Sequence, residues 1–132
     1  MSDLADKIAI RELLERYCDG VNQRSAEIWA STWADDALWE MVHLDVRVES
    51  KANIVETWSG AMELFPFVNM LAQPGFIKID GDKATMRSYT NEVAVKQDGT
   101  ELRPLGEYED EMVRVNGQWL FSSRKFRVLH GE

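Results

Sequence analysis

The sequence predicts an α+β fold in which helices close the concave side of one curved antiparallel sheet. Three observations carry this. Residues 4–21 show the three- and four-residue apolar spacing of a helix. Three turn pairs, Asp80-Gly81, Asp98-Gly99 and Asn116-Gly117, divide the C-terminal half into long strands joined by hairpins. Finally, 132 residues with no repeat, low-complexity segment or linker suit one domain, expected over residues 1–132.

In the first helix, Ile10, Leu13, Leu14, Tyr17, Cys18 and Val21 form the apolar stripe, while Arg11, Glu12, Glu15 and Arg16 fill the wet face. Gly20 and Asn22 are weak helix formers, so fraying is expected there. Ser25 is placed to cap a second helix whose inner side carries Ile28, Trp29, Thr32 and Trp33, with Asp35-Asp36 marking its exit. Ala37 to Leu44 reads as a short strand. Ser50 caps a third helix over about Lys51 to Leu64, which Pro66 stops. From Phe67 the chain is strand-like, with Pro74-Gly75 implying a bulge. Lys83–Lys96, Glu101–Val115 and Gln118–Leu129 complete a meander. Strands this long must twist and bend.

A curved sheet with three helices inside it encloses a cone that they fill only in part. The remainder is a natural pocket for a small apolar molecule. In the last two strands, Met112, Phe126 and Val128 compete with Val113, Val115, Trp119 and Phe121 for burial. A sheet apolar on both sides is normally covered on both. A second subunit is therefore expected on the convex face. The chain carries 15 basic and 23 acidic residues, net charge −8, and no basic stripe, which argues against nucleic acid as a partner. Its single cysteine excludes an internal disulfide and a multi-cysteine metal site. No signal-peptide pattern or membrane-length apolar run is visible, so a cytoplasmic protein without membrane contact is expected.

The stretch IAIRELLERYCDGVNQRSAEIWASTWADDALW, with the later GEYEDEMVRVNGQWLFSSRKFRV, resembles the SnoaL-like branch of the NTF2-like proteins. The resemblance implies a cone-shaped α+β barrel that assembles as a homodimer or homotrimer. Enzymes of that superfamily include scytalone dehydratase, a hexachlorocyclohexane dehydrochlorinase, bile-acid dehydratases, ketosteroid isomerases and polyketide cyclases, all working without a cofactor. Other members only bind. In the dehydratase and dehydrochlorinase members an Asp after the first helix orients a His that removes a proton from carbon. Those positions fall here on Asn22 and on Asn69 (Gln73 with a different gap), and a neutral amide has no useful basicity. Arg124 matches a basic residue of the last strand, Trp33 the tryptophan of the second helix and Tyr108 an aromatic of the penultimate strand. Tyr17 stands where the family carries a cation.

Each candidate has a plain and a functional reading. Asn22 and Asn69 are amides that satisfy backbone groups, or a pair that holds a water or ligand oxygen. Tyr17 is a core tyrosine, or a donor to a carbonyl or leaving group. Asp110 shares a strand face with Tyr108 and lies beside Arg124. The two form a structural ion pair, or Asp110 is a base tuned by Arg124, although that pairing weakens it as a base. Glu92 shares parity with Ser88 and Thr90 near the cavity mouth and is a solvated edge residue, or a base with a raised pKa. Phe126 joins Trp33, Ser88, Thr90 and Tyr108 in the expected substrate lining. Cys18 reads as a buried thiol, and His43 and His130 match no metal spacing, so no metal is expected.

Three functions follow as expectations. The first is a cofactor-independent lyase or isomerase for a small hydrophobic ring or polyketide-like compound, with Asp110 or Glu92 as base. The second is a binding protein that has lost the family dyad. The third is water addition of the epoxide-hydrolase kind.

Overall fold

The computed structural model describes residues 3–131. Helix α1 (Leu4–Asn22) buries the stripe that its periodicity marks. It does not fray at Gly20. That residue is where α1 meets α2 (Ala26–Ala30), and a Cβ on Gly20 would lie 2.7 Å from the Trp29 backbone nitrogen. Ser25 caps α2 by accepting from the Ile28 N–H at 3.2 Å. The helix is shorter than its sequence suggests. Thr32 turns its hydroxyl onto the Trp29 carbonyl (2.7 Å), and the Phe121 N–H takes the Thr32 carbonyl (2.8 Å). The chain is thus captured by the sheet, and Trp33 opens β1 (Trp33–Met41) instead of lining a helix.

After β1 a short 3-10 turn (Val42–Leu44) leads into β2 (Val46–Glu49), which pairs back on β1. The sequence reading had no such strand. Helix α3 (Lys51–Met62) starts at Ser50, whose hydroxyl accepts from the Asn53 N–H. The meander follows as β3 (Phe67–Asp80), β4 (Lys83–Val95), β5 (Glu101–Leu102), β6 (Leu105–Val115) and β7 (Gln118–His130). The expected strand over Glu101–Val115 is broken after Leu102, and the Pro104 carbonyl accepts from the Glu92 N–H instead.

The sheet order is β2-β1-β7-β6-β4-β3, with β5 beside β4. Every pairing is antiparallel except β1 with β7, which makes the sheet mixed. Helices and curled sheet together form an α+β cone.

Bulges decide which residues face inward. One lies at Pro74-Gly75, as expected. Another falls in β7, where Glu111 pairs with Ser123 but Met112 pairs with Phe121, leaving Ser122 extra. An extra residue reverses the side-chain alternation. Trp119 and Phe121 before it and Arg124 after it are therefore all buried, on one inner face. Met112, Trp119, Phe121 and Phe126 therefore share the inner face, and of the two apolar sets Val113 and Val115 on β6 keep to the outer one.

At the turn end of the cone, Arg114 ties α1 to the strands. Its Nη1 donates to Asp6 Oδ1 (2.6 Å) and its Nε to Asp82 Oδ1 (2.9 Å), while Trp119 Nε1 also donates to Asp6 (3.2 Å). No helix among the described residues is long and apolar enough to cross a membrane.

Candidate functional site

The inner face of β4, β6 and β7 presents its side chains in register rows: Met86–Asp110–Arg124, then Ser88–Tyr108–Phe126, then Thr90–Gly106–Val128. Trp39 on β1 lies beside Arg124. Tyr17 reaches this face from α1.

Arg124 is the centre and is fully buried. Its Nε donates to Asp110 Oδ1 (2.7 Å), and its Nη2 donates to Asp110 Oδ2 (3.3 Å) and to Ser88 Oγ (3.2 Å). Ser88 in turn donates to Asp110 Oδ2 (2.9 Å). The guanidinium carbon lies 3.6 Å from the centre of the Tyr108 ring, 4.4 Å from Tyr17 and 4.3 Å from Phe121. Burial alone would lower the Arg124 pKa, but Asp110, and then the two tyrosines, more than reverse this and hold it above its ordinary range. Burial pushes the Asp110 carboxyl up, against the pull of Arg124 and Ser88. Asp110 is enclosed and accepts on both oxygens, one bond at Oδ1 and two at Oδ2. The structure places it in an ion pair with Arg124. Ser88 is consumed by the same pair, and Trp33 is packed at ring distances of 5.6–6.2 Å among Trp29, Trp39, Tyr17 and Phe121. Neither of the two lines an opening.

Above Arg124 sits a small set of donors. Trp39 Nε1 donates to the Tyr108 hydroxyl (3.3 Å), and the Tyr17 and Tyr108 hydroxyls share a hydrogen bond of 3.4 Å. Three N–H or O–H donors thus serve two oxygens, and one hydroxyl proton is left to give. Burial raises the Tyr17 pKa well above its ordinary value and raises that of Tyr108 as well, so both stay protonated and act as donors. The surplus extends downward: Trp29 Nε1, Trp33 Nε1 and Arg124 Nη1 are buried without an acceptor.

Glu92 lies on the same face of β4, two residues beyond Thr90 and across from Met70 on β3. It is partly buried, and among the described residues its carboxylate has no hydrogen bond or ion pair. Burial pushes its pKa up to about 7. Its charge adds to the upward shift of the Cys18 and Tyr108 pKa values. Cys18 itself is pushed up to about 11 by burial and is a thiol. Nearby, Phe126 packs on Tyr108 (ring centres 4.8 Å apart) and on His43 (5.6 Å). Gly106 makes room for the Phe126 ring and for Thr90 Oγ1, which a Cβ would approach to 2.7 Å.

Asn22 and Asn69 do not meet as a pair. Asn22 Nδ2 donates to the Met70 carbonyl (2.9 Å), and the Met70 N–H donates to Asn22 Oδ1 (2.7 Å), so the whole amide is bound to the β3 backbone. Met70 is the buried, inward residue. Strand alternation puts Asn69 on the other face with exposed Leu71 and Gln73. The sequence reading also passed over Trp39, Met70, Gly106 and His43 as members of this region. Trp39 could not be found because its neighbour Arg124 is reached by parallel pairing, which no turn motif announces.

Among the described residues no group of three or more His, Cys, Asp or Glu could hold a metal ion. A family model for the SnoaL-like domain matches residues 2–125. The chain belongs to the SnoaL-like family. No curated protein sequence matches this SnoaL-like chain. Solved structures do. One, provisionally named a scytalone dehydratase from Novosphingobium aromaticivorans, superposes with a TM-score of 0.90 at 19% identity over 98% of this chain and 88% of that one. The hexachlorocyclohexane dehydrochlorinase LinA-type3 from Novosphingobium barchaimii gives 0.84 at 19% identity over 98% and 90%. A protein of unknown function from Mycobacterium tuberculosis gives 0.82 at 23% identity over 98% and 73%. Identities this low speak for a shared SnoaL-like fold.

Proposed function

We propose that this SnoaL-like protein is a cofactor-free lyase or isomerase for a small hydrophobic ring or polyketide-like compound bearing a carbonyl or hydroxyl oxygen. Its general base is Glu92. The carrying observation is the state of that carboxylate: on the inward face of β4, without a hydrogen-bond or ion-pair partner among the described residues, and titrating near neutral pH. A base works best when its pKa lies close to the working pH. Glu92 takes a proton from a carbon next to the substrate oxygen, and the free hydroxyl proton of the Tyr17–Tyr108–Trp39 set bonds that oxygen as charge develops on it. Arg124 holds both tyrosine rings and adds a fixed positive charge beneath them. The proton on Glu92 then returns to another carbon in an isomerisation, or leaves with the departing group in an elimination. The dehydratase and dehydrochlorinase names of the structural neighbours support this class of chemistry.

The fixed amide of Asn22 favours a second reading, a binding protein, because the carboxylate that the family resemblance implies there is absent. One experiment separates the two. Hydroxylated and keto-containing ring compounds are screened by thermal shift, and those that bind are tested for turnover across pH. Catalysis by Glu92 predicts a rate that rises with pH through a midpoint near 7 and falls by about 10²–10⁴ in Glu92→Gln. Binding without turnover, or turnover untouched by Glu92→Gln, defeats the assignment of Glu92.

A further inference from the structure

The inner-face rows change in bulk from one to the next. The Ser88–Tyr108–Phe126 row carries two aromatic rings, whereas the Thr90–Gly106–Val128 row holds only small side chains. Glu92 stands one step further along β4. Four residues separate Ser88 from Glu92, a span of about 13 Å along an extended strand. The small row therefore lies between the tyrosine donors and the carboxylate. A glycine inside a strand weakens it and commonly marks a close approach. Here the approaching group is the Phe126 ring, which leans out of its own row: a Cβ on Gly106 would lie 2.2 Å from its Cε1 and 2.5 Å from its Cζ. Ordinary van der Waals contact begins at 3.4 Å, so the ring edge would have to move by about 1.2 Å. Tyr108 and His43 already pack on that ring. Gly106 is an inward position, so an added methyl pushes the ring off the sheet and toward the helices. Beside it, Thr90 is 5% exposed. Its Oγ1 makes no hydrogen bond among the described residues, yet it is not sealed off as the unpaired nitrogens of Trp29, Trp33 and Arg124 are.

We infer that Gly106 and Phe126 form a shelf that selects the ring of the ligand, and that Thr90 binds a second polar group on that ring. The inference rests on the reading of the Tyr17–Tyr108–Trp39 set as donor to a ligand oxygen. A molecule that takes this hydrogen bond and extends toward Glu92 must cross the small row. There the Phe126 ring is the largest surface it meets. Gly106 acts through Phe126: having no side chain, it keeps the ring down on the backbone and leaves the space above it to the ligand. A planar aromatic ring gains an offset or edge-on contact on that shelf, which a puckered saturated ring of the same size does not. The free Thr90 hydroxyl bonds a hydroxyl or carbonyl at the ring's far edge. The ligand class is thus a planar ring with one oxygen for the tyrosines and a second polar substituent across from it. Gly106, Phe126 and Thr90 set specificity and take no part in moving the proton.

The test reads binding and not turnover, so its outcome is separate from the fate of Glu92 as a base. Acetophenone, 4-hydroxyacetophenone and cyclohexyl methyl ketone are titrated calorimetrically into the wild type, Gly106→Ala, Phe126→Leu, the double variant and Thr90→Val. The wild type is expected to bind both aromatic ketones, the hydroxylated one more tightly, and the saturated ketone about tenfold more weakly than acetophenone. Gly106→Ala weakens both aromatic ketones about tenfold. In the Phe126→Leu background the same change has little effect, because leucine lacks the two ring atoms that the methyl would strike. A general strain on β6 would instead weaken binding equally in both backgrounds. Thr90→Val keeps the side chain's shape without its hydroxyl. It weakens 4-hydroxyacetophenone about three- to tenfold and leaves acetophenone unchanged. Should the tyrosine reading fail while the shelf stands, Tyr17→Phe and Tyr108→Phe would both leave acetophenone binding intact and the Gly106–Phe126 coupling would persist. No binding of either aromatic ketone to the wild type, an equal cost of Gly106→Ala in both backgrounds, or a Thr90→Val effect that is the same for the two ketones overturns the inference. Circular dichroism confirms that each variant is folded, and if Gly106→Ala is not, the Thr90→Val comparison decides.

Discussion

Arg124 shows how far a single residue can organise this molecule. Its charge is fully buried and tolerated because Asp110 and Ser88 bond it and three aromatic rings face it. Removing one member of such a pair strands the other. Asp110→Ala is expected to cost about 3–5 kcal/mol in chemical denaturation. Replacing both at once, Asp110→Leu with Arg124→Met, is expected to recover most of that loss, since an apolar pair of similar size avoids the desolvation of two charges. Equal losses in the single and double variants would show that the pair does not act as a unit. The ion pair was read from the sequence as two neighbours on hairpin-linked strands, although their facing rests on the extra Ser122, without which the Val115–Gln118 register would set Asp110 against Ser123. The aromatic faces around it were not, because β7 changes parity at Ser122 and a bulge leaves no mark in composition.

Elements meet in this fold through a few side chains that bond another element's backbone. Asn22, the last residue of α1, holds Met70 of β3 by both amide atoms, as a further strand would. Asn22→Ala removes two partly buried hydrogen bonds and is expected to cost about 1–3 kcal/mol. Asn22→Asp tests the geometry more closely. It keeps the acceptor for the Met70 N–H but turns a second acceptor toward the Met70 carbonyl, so at pH 7 it should cost at least as much as the alanine change. Protonation supplies the missing donor, so melting near pH 4 should recover part of the loss relative to the wild type. A deficit that does not change with pH would mean that the Asn22 donor bond to the carbonyl contributes nothing. The sequence placed Asn22 correctly at the end of a helix and misplaced its partner. Asn69 and Met70 differ by one position, and one position in a strand is the whole difference between inside and outside. Element types came through well for α1, α3 and the hairpin strands, where periodicity and turn residues act locally. The β1–β7 pairing and β2 did not, because both depend on contacts made far along the chain.

For the molecule as a whole, the cone followed from element order alone, but the state of its interior is set by burial that only the folded chain creates. Glu92 connects the two. Its pKa of about 7 in the folded protein exceeds the ordinary carboxyl value of about 4.3 that it regains on unfolding. The folded state therefore holds a proton that the unfolded state has released, and stability falls as pH rises between those two values. Below about pH 4 the group costs nothing. Above pH 7 the full penalty applies, on the order of 3 kcal/mol and less to the extent that solvent reaches the carboxylate. Glu92→Gln should thus stabilise the protein by about 2–3 kcal/mol at pH 8 and hardly at all at pH 4. The difference between its stability curve and that of the wild type opens between those limits. Curves that stay parallel would mean that the carboxylate is solvated, and its claim as a base would fall with them. A substitution that strengthens the fold above neutral pH while abolishing turnover is the signature of a charge kept at a cost for chemistry.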